Sequence, residues 1–486
     1  MEKFKIAMIV TVCCGLCAAI TLAEPRTATD GSGQPSYAKV ISPEKLKEDL
    51  DFLFKTIEEV HPNMYAYTSK EEFKPIKEKL YQEIKHPMSQ VDFYKITAPA
   101  IASLKNLHTY VSFSGDYRKY SESGGRVFPL GIKWDGSNVI LEKNYSPLSL
   151  PLGGKIREIN GQNANELLYG FSRLMPAENR TNNPWIVESP EFLRSSLVLE
   201  FGPTDLWELK IEKLDGTVET YSVPSLLHSE FKTNETSAIV EGKTYYRIIP
   251  GYDTAVIEFH KWDDPNKLRA FWRETFKDIN DKKIPNLIID IRKNTGGRDD
   301  CFHSLIGYTT EKPYRLYDKV LIKVSEPTEE RIAHLRRKLP YLFENKRNGD
   351  IVTLELPLRD PEENAYKFKG PIFLLIGRQS FSASTVFSAI SKCYDVATLI
   401  GEETGDPTTL YADCIQFELP NSGLTFWVAS KLLLCPCGKP DGRGVLPDYE
   451  VKQRPEDTAK GVDTVLQFAL NLIRDTNFGI EQKIDN

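Results

Sequence analysis

Two short runs in the second half of this 486-residue chain constrain its fold most, PNLIIDIR at 285–292 and GPIFLLIG at 370–377. Both are apolar almost without interruption. A strand with one wet face alternates polar and apolar residues, whereas a strand apolar at consecutive positions is covered on both faces, as in parallel sheets held between helix layers. Helical periodicity borders each run. A helix is expected from about Pro265 to Asn280, and after the second run Val386, Phe387, Ile390 and Cys393 fall at helical spacing in SASTVFSAISK. The C-terminal half is therefore read as an α/β domain with largely parallel pairing.

The residues that leave these two strands carry the chemistry. Gly296-Gly297 follows the first; a glycine pair after a buried strand lets the backbone approach a ligand and turn N–H groups outward, as an oxyanion hole requires. The G-x-G-x-x-G spacing of a dinucleotide site is not present there. Ser382 follows the second strand at a helix start, where its hydroxyl meets the positive end of the helix dipole. It can be a nucleophile or an N-cap, and Ser380 and Ser384 can each be a cap as well. A nucleophilic serine needs a base. Of the histidines, His108 stands at a helix-to-strand boundary in KNLHTYVSF, a place where side chains project into clefts, while His61 in HPNMYAYT reads as a packed residue.

Upstream, Ser42-Pro43 opens a helix with Leu46, Leu50, Leu53, Phe54, Ile57 and Val60 on one face, and Ser89 with Asp92 opens another reaching about Leu104. Between about Phe128 and Val223 short β-type runs are separated by Gly and Asn turns. The stretch PLGGKIREINGQNANELL at 151–168 resembles the PDZ segment in which a strand ends in Ile-Asn-Gly before a helix, with PLGI at 129–132 as its peptide-binding loop; a β-rich spacer is the alternative.

The N-terminus, MEKFK followed by the apolar run 6–23 and Glu24-Pro25, reads as a secretory signal peptide ending at Ala23. It predicts a secreted or periplasmic protein with no membrane span after cleavage. Net charge is −6 with no long basic block, which excludes nucleic acid as a partner. Five cysteines lie beyond the signal, an odd and sparse set that makes no disulfide framework. Cys435 and Cys437 are open to pairing with Cys414, and no metal site is expected.

In order and context these elements resemble the C-terminal processing and tricorn protease family of serine peptidases. That family has a His-Thr element before a PDZ module, then a strand ending in Asp-x-Arg-x-Asn-x-Gly-Gly, matched by Asp290 to Gly297. Its Ser-Ala-Ser is matched by Ser382-Ala383-Ser384. Its Gly-Glu-x-Thr-x-Gly and Gly-Val-x-Pro-Asp elements stand against Gly401-Glu402-Glu403-Thr404-Gly405 and Gly444-Val445-Leu446-Pro447-Asp448. One branch uses a lysine base downstream of the nucleophile, but Asp406-Pro407-Thr408-Thr409 stands there, and no lysine occurs between Lys392 and Lys431. The tricorn-like branch uses the His-Thr histidine.

The resemblance implies Ser382 as nucleophile, His108 as base, and an oxyanion hole from Gly296, Gly297 and Ala383. Glu403, Asp441 and Asp448 are the candidate orienting acids. It also implies a crotonase- or Clp-protease-like catalytic domain at 231–486, a PDZ-like domain at 119–230, an N-terminal helical domain at 42–118, and a linker at 24–41 after the signal at 1–23. The expected partner is a peptide or protein substrate and no cofactor is implied. The alternative is a peptide- or hydrophobic-ligand-binding protein on the same scaffold.

Overall fold

In the computed structural model the described residues are 40–113, 120–121, 123–178, 184–227, 230–231 and 244–484. The signal peptide and all but the last two residues of the linker lie outside them. Among the described residues no helix is long and apolar enough to cross a membrane.

The two apolar runs form adjacent parallel strands, Asn286–Asp290 and Ile372–Ile376, at the centre of a six-stranded sheet. Thr254–Phe259 and Thr398–Gly401 extend it in parallel, Thr244–Ile249 adds an antiparallel edge, and Tyr449–Glu450 closes the other side. Alternate residues face opposite layers. Leu287, Ile289, Leu374 and Ile376 pack against Trp272 and Phe276 of the helix Pro265–Asp281, and against Val386 and Ile390 of Ala383–Cys393. Ile288, Phe373 and Leu375 pack against Val465, Leu470 and Ile473 of the helix Thr464–Ile484. This double coverage is why neither strand shows polar alternation.

A second sheet runs Ile351–Glu355, Lys319–Lys323, Thr425–Leu434, Thr409–Glu418. Tyr110–Ser112 pairs antiparallel with Trp427 to Thr425, so the segment that follows His108 is a strand of this sheet. The N-terminal helices Pro43–Val60, Lys70–Glu83 and Gln90–Ala102 share one core with Ile415, Phe426 and Val428. The helical unit and the C-terminal half thus share a core. The sequence pattern does not predict the middle helix: its Ser69–Glu72 capping box is formed, but Pro75 lies inside it and argues against a helix.

The β-rich region is an antiparallel sheet ordered Val218–Pro224, Leu206–Glu212, Lys155–Ile159, Val139–Asn144, Leu130–Trp134, with a core of its own around Trp134, Leu141 and Trp207. Asn160 and Gly161, both with positive φ (47° and 77°), make the turn that leads to the helix Ala164–Ser172.

The cysteine expectation is corrected. Cys437 is joined to Cys393 at the end of the helix Ala383–Cys393, while Cys414 and Cys435 are not disulfide-bonded. A helix end was a less visible partner than a neighbouring strand, because the pairing depends on the fold and not on spacing.

Candidate active site

Both central strands end at one edge of the sheet, and the loops that follow them touch. Asn294 ties them together: its carbonyl accepts from Phe381 N at 3.1 Å and its side chain accepts from Gly296 N at 3.0 Å. A Cβ on Gly296, whose φ is +95°, would lie 2.7 Å from Ser382 Cβ, so only glycine fits against the serine.

The three serines of the second loop separate clearly. Ser380 is buried; its hydroxyl donates to Ile291 O at 2.8 Å and accepts from Gly377 N at 3.0 Å. Ser384 is buried and accepts from Trp262 Nε1 at 3.0 Å. Ser382 makes no side-chain capping bond and sits at φ 54°, ψ −119°, a backbone conformation costly for any residue with a Cβ. A strand-to-helix turn of this shape pushes the serine side chain out into the open. Its hydroxyl faces a cavity of about 430 Å³ that His108, Gly296, Gly297 and Ala383 also line. Deeper in, Val320, Ile322, Leu354, Leu410 and Leu433 make the walls apolar.

His108 is only 6% exposed and stacks on Phe381, ring centroids 4.8 Å apart, with Trp185 of the β-rich module on the far side of Phe381 at 4.9 Å. Neither ring nitrogen has a hydrogen-bond partner among the described residues, so His108 and Ser382 share the cavity without being bonded to each other. Burial lowers the imidazole to about 4, partly offset by the Asp413 charge. Asp413 itself is held by Arg331 at 2.7 Å and Lys431 at 2.5 Å. His108 is therefore neutral at physiological pH and able to accept a proton.

The expected oxyanion donors divide. Gly296 N is spent on Asn294, which removes it from the set. The N–H groups of Gly297 and Ala383 make no hydrogen bond among the described residues and belong to the cavity wall.

The expected orienting acids are corrected outright. Glu403 pairs with Arg443 at 2.7 Å, Asp441 accepts from Arg443 N at 2.9 Å in an exposed turn, and Asp448 pairs with Lys392 at 3.1 Å. The acid nearest His108 is instead Asp406, its Oδ2 3.9 Å from Nε2 and accepting from Ser382 N at 2.7 Å. Glu178 stands beside them, with Asn106 donating to its Oε1 at 3.0 Å. Burial drives the Glu178 carboxyl up to about 8, and burial with Glu178 nearby pushes Asp406 up as well. Asp406 was visible in the sequence only as the residue standing where a lysine was missing. Glu178 has no motif at all.

Comparison with known families points the same way. Residues 253–451 match peptidase family S41. The match covers the central strands and the loops that follow them, less than half of the chain. S41 peptidases are serine-type peptidases. The S41 match spans the sheet except its edge strand Thr244–Ile249, the glycine pair and Ser382, but not His108 or Glu178. No curated protein matches the chain. Among solved structures, mature CPAF complexed with lactacystin aligns with TM-score 0.60 and 14% identity over 88% of this chain and 98% of that one. Mature CPAF aligns with TM-score 0.59 and 15% identity over 86% and 94%. At such identities the likeness is one of fold, and it reaches beyond the S41 match to most of the chain.

Proposed function

We propose that this chain is an extracytoplasmic serine endopeptidase, secreted or periplasmic, in which Ser382 attacks a peptide carbonyl and His108 takes its proton. The observation that carries this reading is the strained, unbonded Ser382 facing the cavity that also holds His108. Substrate binding brings His108 Nε2 from beside Asp406 to hydrogen-bond distance of the Ser382 hydroxyl, about 2.6 to 3.2 Å, a tightening usual between free and substrate-bound sites. The proton passes to His108, the acyl-enzyme forms on Ser382, and the imidazolium returns the proton to the leaving amine. The N–H groups of Gly297 and Ala383 receive the oxyanion. The apolar cavity wall seats a substrate side chain.

The signal-type N-terminus is what supports export. The Ile159-Asn160-Gly161 turn into the helix Ala164–Ser172 supports a PDZ-like reading of the antiparallel module, which would hold a peptide terminus. The doubly covered sheet supports the crotonase- or Clp-protease-like reading of the catalytic domain. The test is hydrolysis of an unfolded protein substrate by the mature chain. Cleavage that disappears in Ser382→Ala supports the proposal, and equal cleavage by that variant refutes it.

A further inference from the structure

Three side chains that meet behind Ser382 are more polar than their surroundings allow. His108, Glu178 and Asp406 are 6%, 6% and 1% exposed. One ligand-type atom from each lies within 4.8 Å of the others. Two carboxyl groups are buried together, and neither makes a salt bridge to lysine or arginine among the described residues. Buried carboxylates without a counter-ion are costly, and a cation removes the cost.

The hydrogen bonds leave a pattern. Glu178 accepts from Asn106 on Oε1 and has the Tyr67 hydroxyl and the Leu107 and Tyr411 backbone close by, yet its Oε2 makes no hydrogen bond of normal geometry; Asp406 uses Oδ2 for Ser382 N and leaves Oδ1 unpartnered. His108 leaves both nitrogens unpartnered. Each carboxylate is thus fixed through one oxygen and offers the other, the arrangement in which a neighbouring donor orients a metal-binding carboxylate.

We propose that His108, Glu178 and Asp406 form a site for a divalent transition metal of the zinc type, and that occupancy silences the peptidase. One imidazole nitrogen and two carboxyl oxygens, with a fourth position open to water, suit Zn²⁺, and the two carboxyl groups, which release their protons to solvent as the metal binds, supply the charges that balance the ion. Bonds of about 2.0 to 2.2 Å in a tetrahedron put ligand atoms roughly 3.3 to 3.6 Å apart, so side-chain rotations of modest size close the set. The silencing rests on His108 being the base: a metal on its lone pair leaves nothing to accept the serine proton. The metal site itself does not depend on that reading.

The experiment uses the mature chain carrying Ser382→Ala, which cannot digest itself, titrated with Zn²⁺ in a calorimeter and with Co²⁺ followed by its visible absorption. One tightly bound equivalent is expected, weakened at least about tenfold by Glu178→Gln and by His108→Gln. Zinc K-edge absorption on the Ser382→Ala chain needs neither substitution and should show only nitrogen and oxygen ligands. Sulfur neighbours, which would implicate Cys414 or Cys435, would overturn the site, as would failure to bind one equivalent or unweakened binding in folded variants. With Ser382 intact, Zn²⁺ should block labelling by a serine-reactive fluorophosphonate and a chelator should restore it. Labelling that is unaffected by bound Zn²⁺ would overturn the silencing alone. A chain that hydrolyses through Ser382 but binds no metal would keep the function and lose this site.

Discussion

The two sides of the cavity are built differently. On the serine side the loop-holding side chains have their partners: Ser380, Ser384 and Asn294 hold the loops, Gly296 packs on Ser382, and the Ser382 hydroxyl is left over. On the histidine side the accounts do not close, since His108, Glu178 and Asp406 are buried with four nitrogen and oxygen atoms between them that lack a hydrogen bond of normal geometry: His108 Nδ1 and Nε2, Glu178 Oε2 and Asp406 Oδ1. A satisfied loop network is rigid and fixes one residue in position. An unsatisfied buried cluster stores unfavourable energy that a substrate, a proton or a cation can release. The serine side is framework, and the histidine side is where the molecule can change state.

The comparison predicts a ranking of effects. Ser382→Ala should lower hydrolysis by about a millionfold at unchanged circular dichroism, because the nucleophile is lost and no capping bond goes with it. Ser380→Ala should instead lower thermal stability, since that hydroxyl makes two buried bonds. If Ser380→Ala were the inactive but well-folded variant, the division between framework and nucleophile would be reversed.

His108→Gln should cost about 10² to 10⁴ in kcat, the usual worth of a general base. Gly296→Ala follows, with an activity loss of at least about tenfold. Its new Cβ meets Ser382 Cβ at 2.7 Å and its φ of +95° is strained for alanine. Both are read by steady-state kinetics on the folded variants. Glu403→Gln and Asp448→Asn, whose acids are engaged elsewhere, should change kcat/KM less than about threefold.

The pH dependence sharpens the picture of the histidine side. An unperturbed imidazole would give kcat/KM an acid limb at pH 6 to 7, and burial moves it down toward about 4. The same shift destabilises the fold in acid. The unfolded chain takes up the proton near pH 6.5 and the folded chain near 4, so this stability is complete above about 6.5 and is lost as pH falls toward 4. The slope is at most about 1.4 kcal/mol per pH unit for His108. His61, lowered to about 3 by burial, adds in the same direction. Glu178 acts oppositely, because a raised carboxyl loses its contribution as pH climbs through about 8. Melting temperature and kcat/KM measured over the same pH series separate the two effects.

What the sequence made legible follows the same division. The sheet, the glycine pair and the serine all lie on or just after apolar strands, where local pattern determines place, and each stands where it was expected. His108 was legible as a residue at an element boundary. Its neighbours were not: Glu178 comes from a loop of the β-rich module and Asp406 from beyond a third strand, and tertiary packing alone brings them together. Glu403, Asp441 and Asp448 drew attention because they lie in or near motifs, yet each has a basic side chain or a turn to satisfy. The Cys393–Cys437 link was hidden for the same reason, as it joins a helix end to a loop.

The most direct measurement of the central claim is the site of covalent modification by a fluorophosphonate, mapped by peptide mass spectrometry in the metal-free mature chain. A single adduct on Ser382 is predicted, absent in Ser382→Ala and strongly slowed in His108→Gln. An adduct on Ser380 or Ser384, or labelling at full rate without His108, would contradict it.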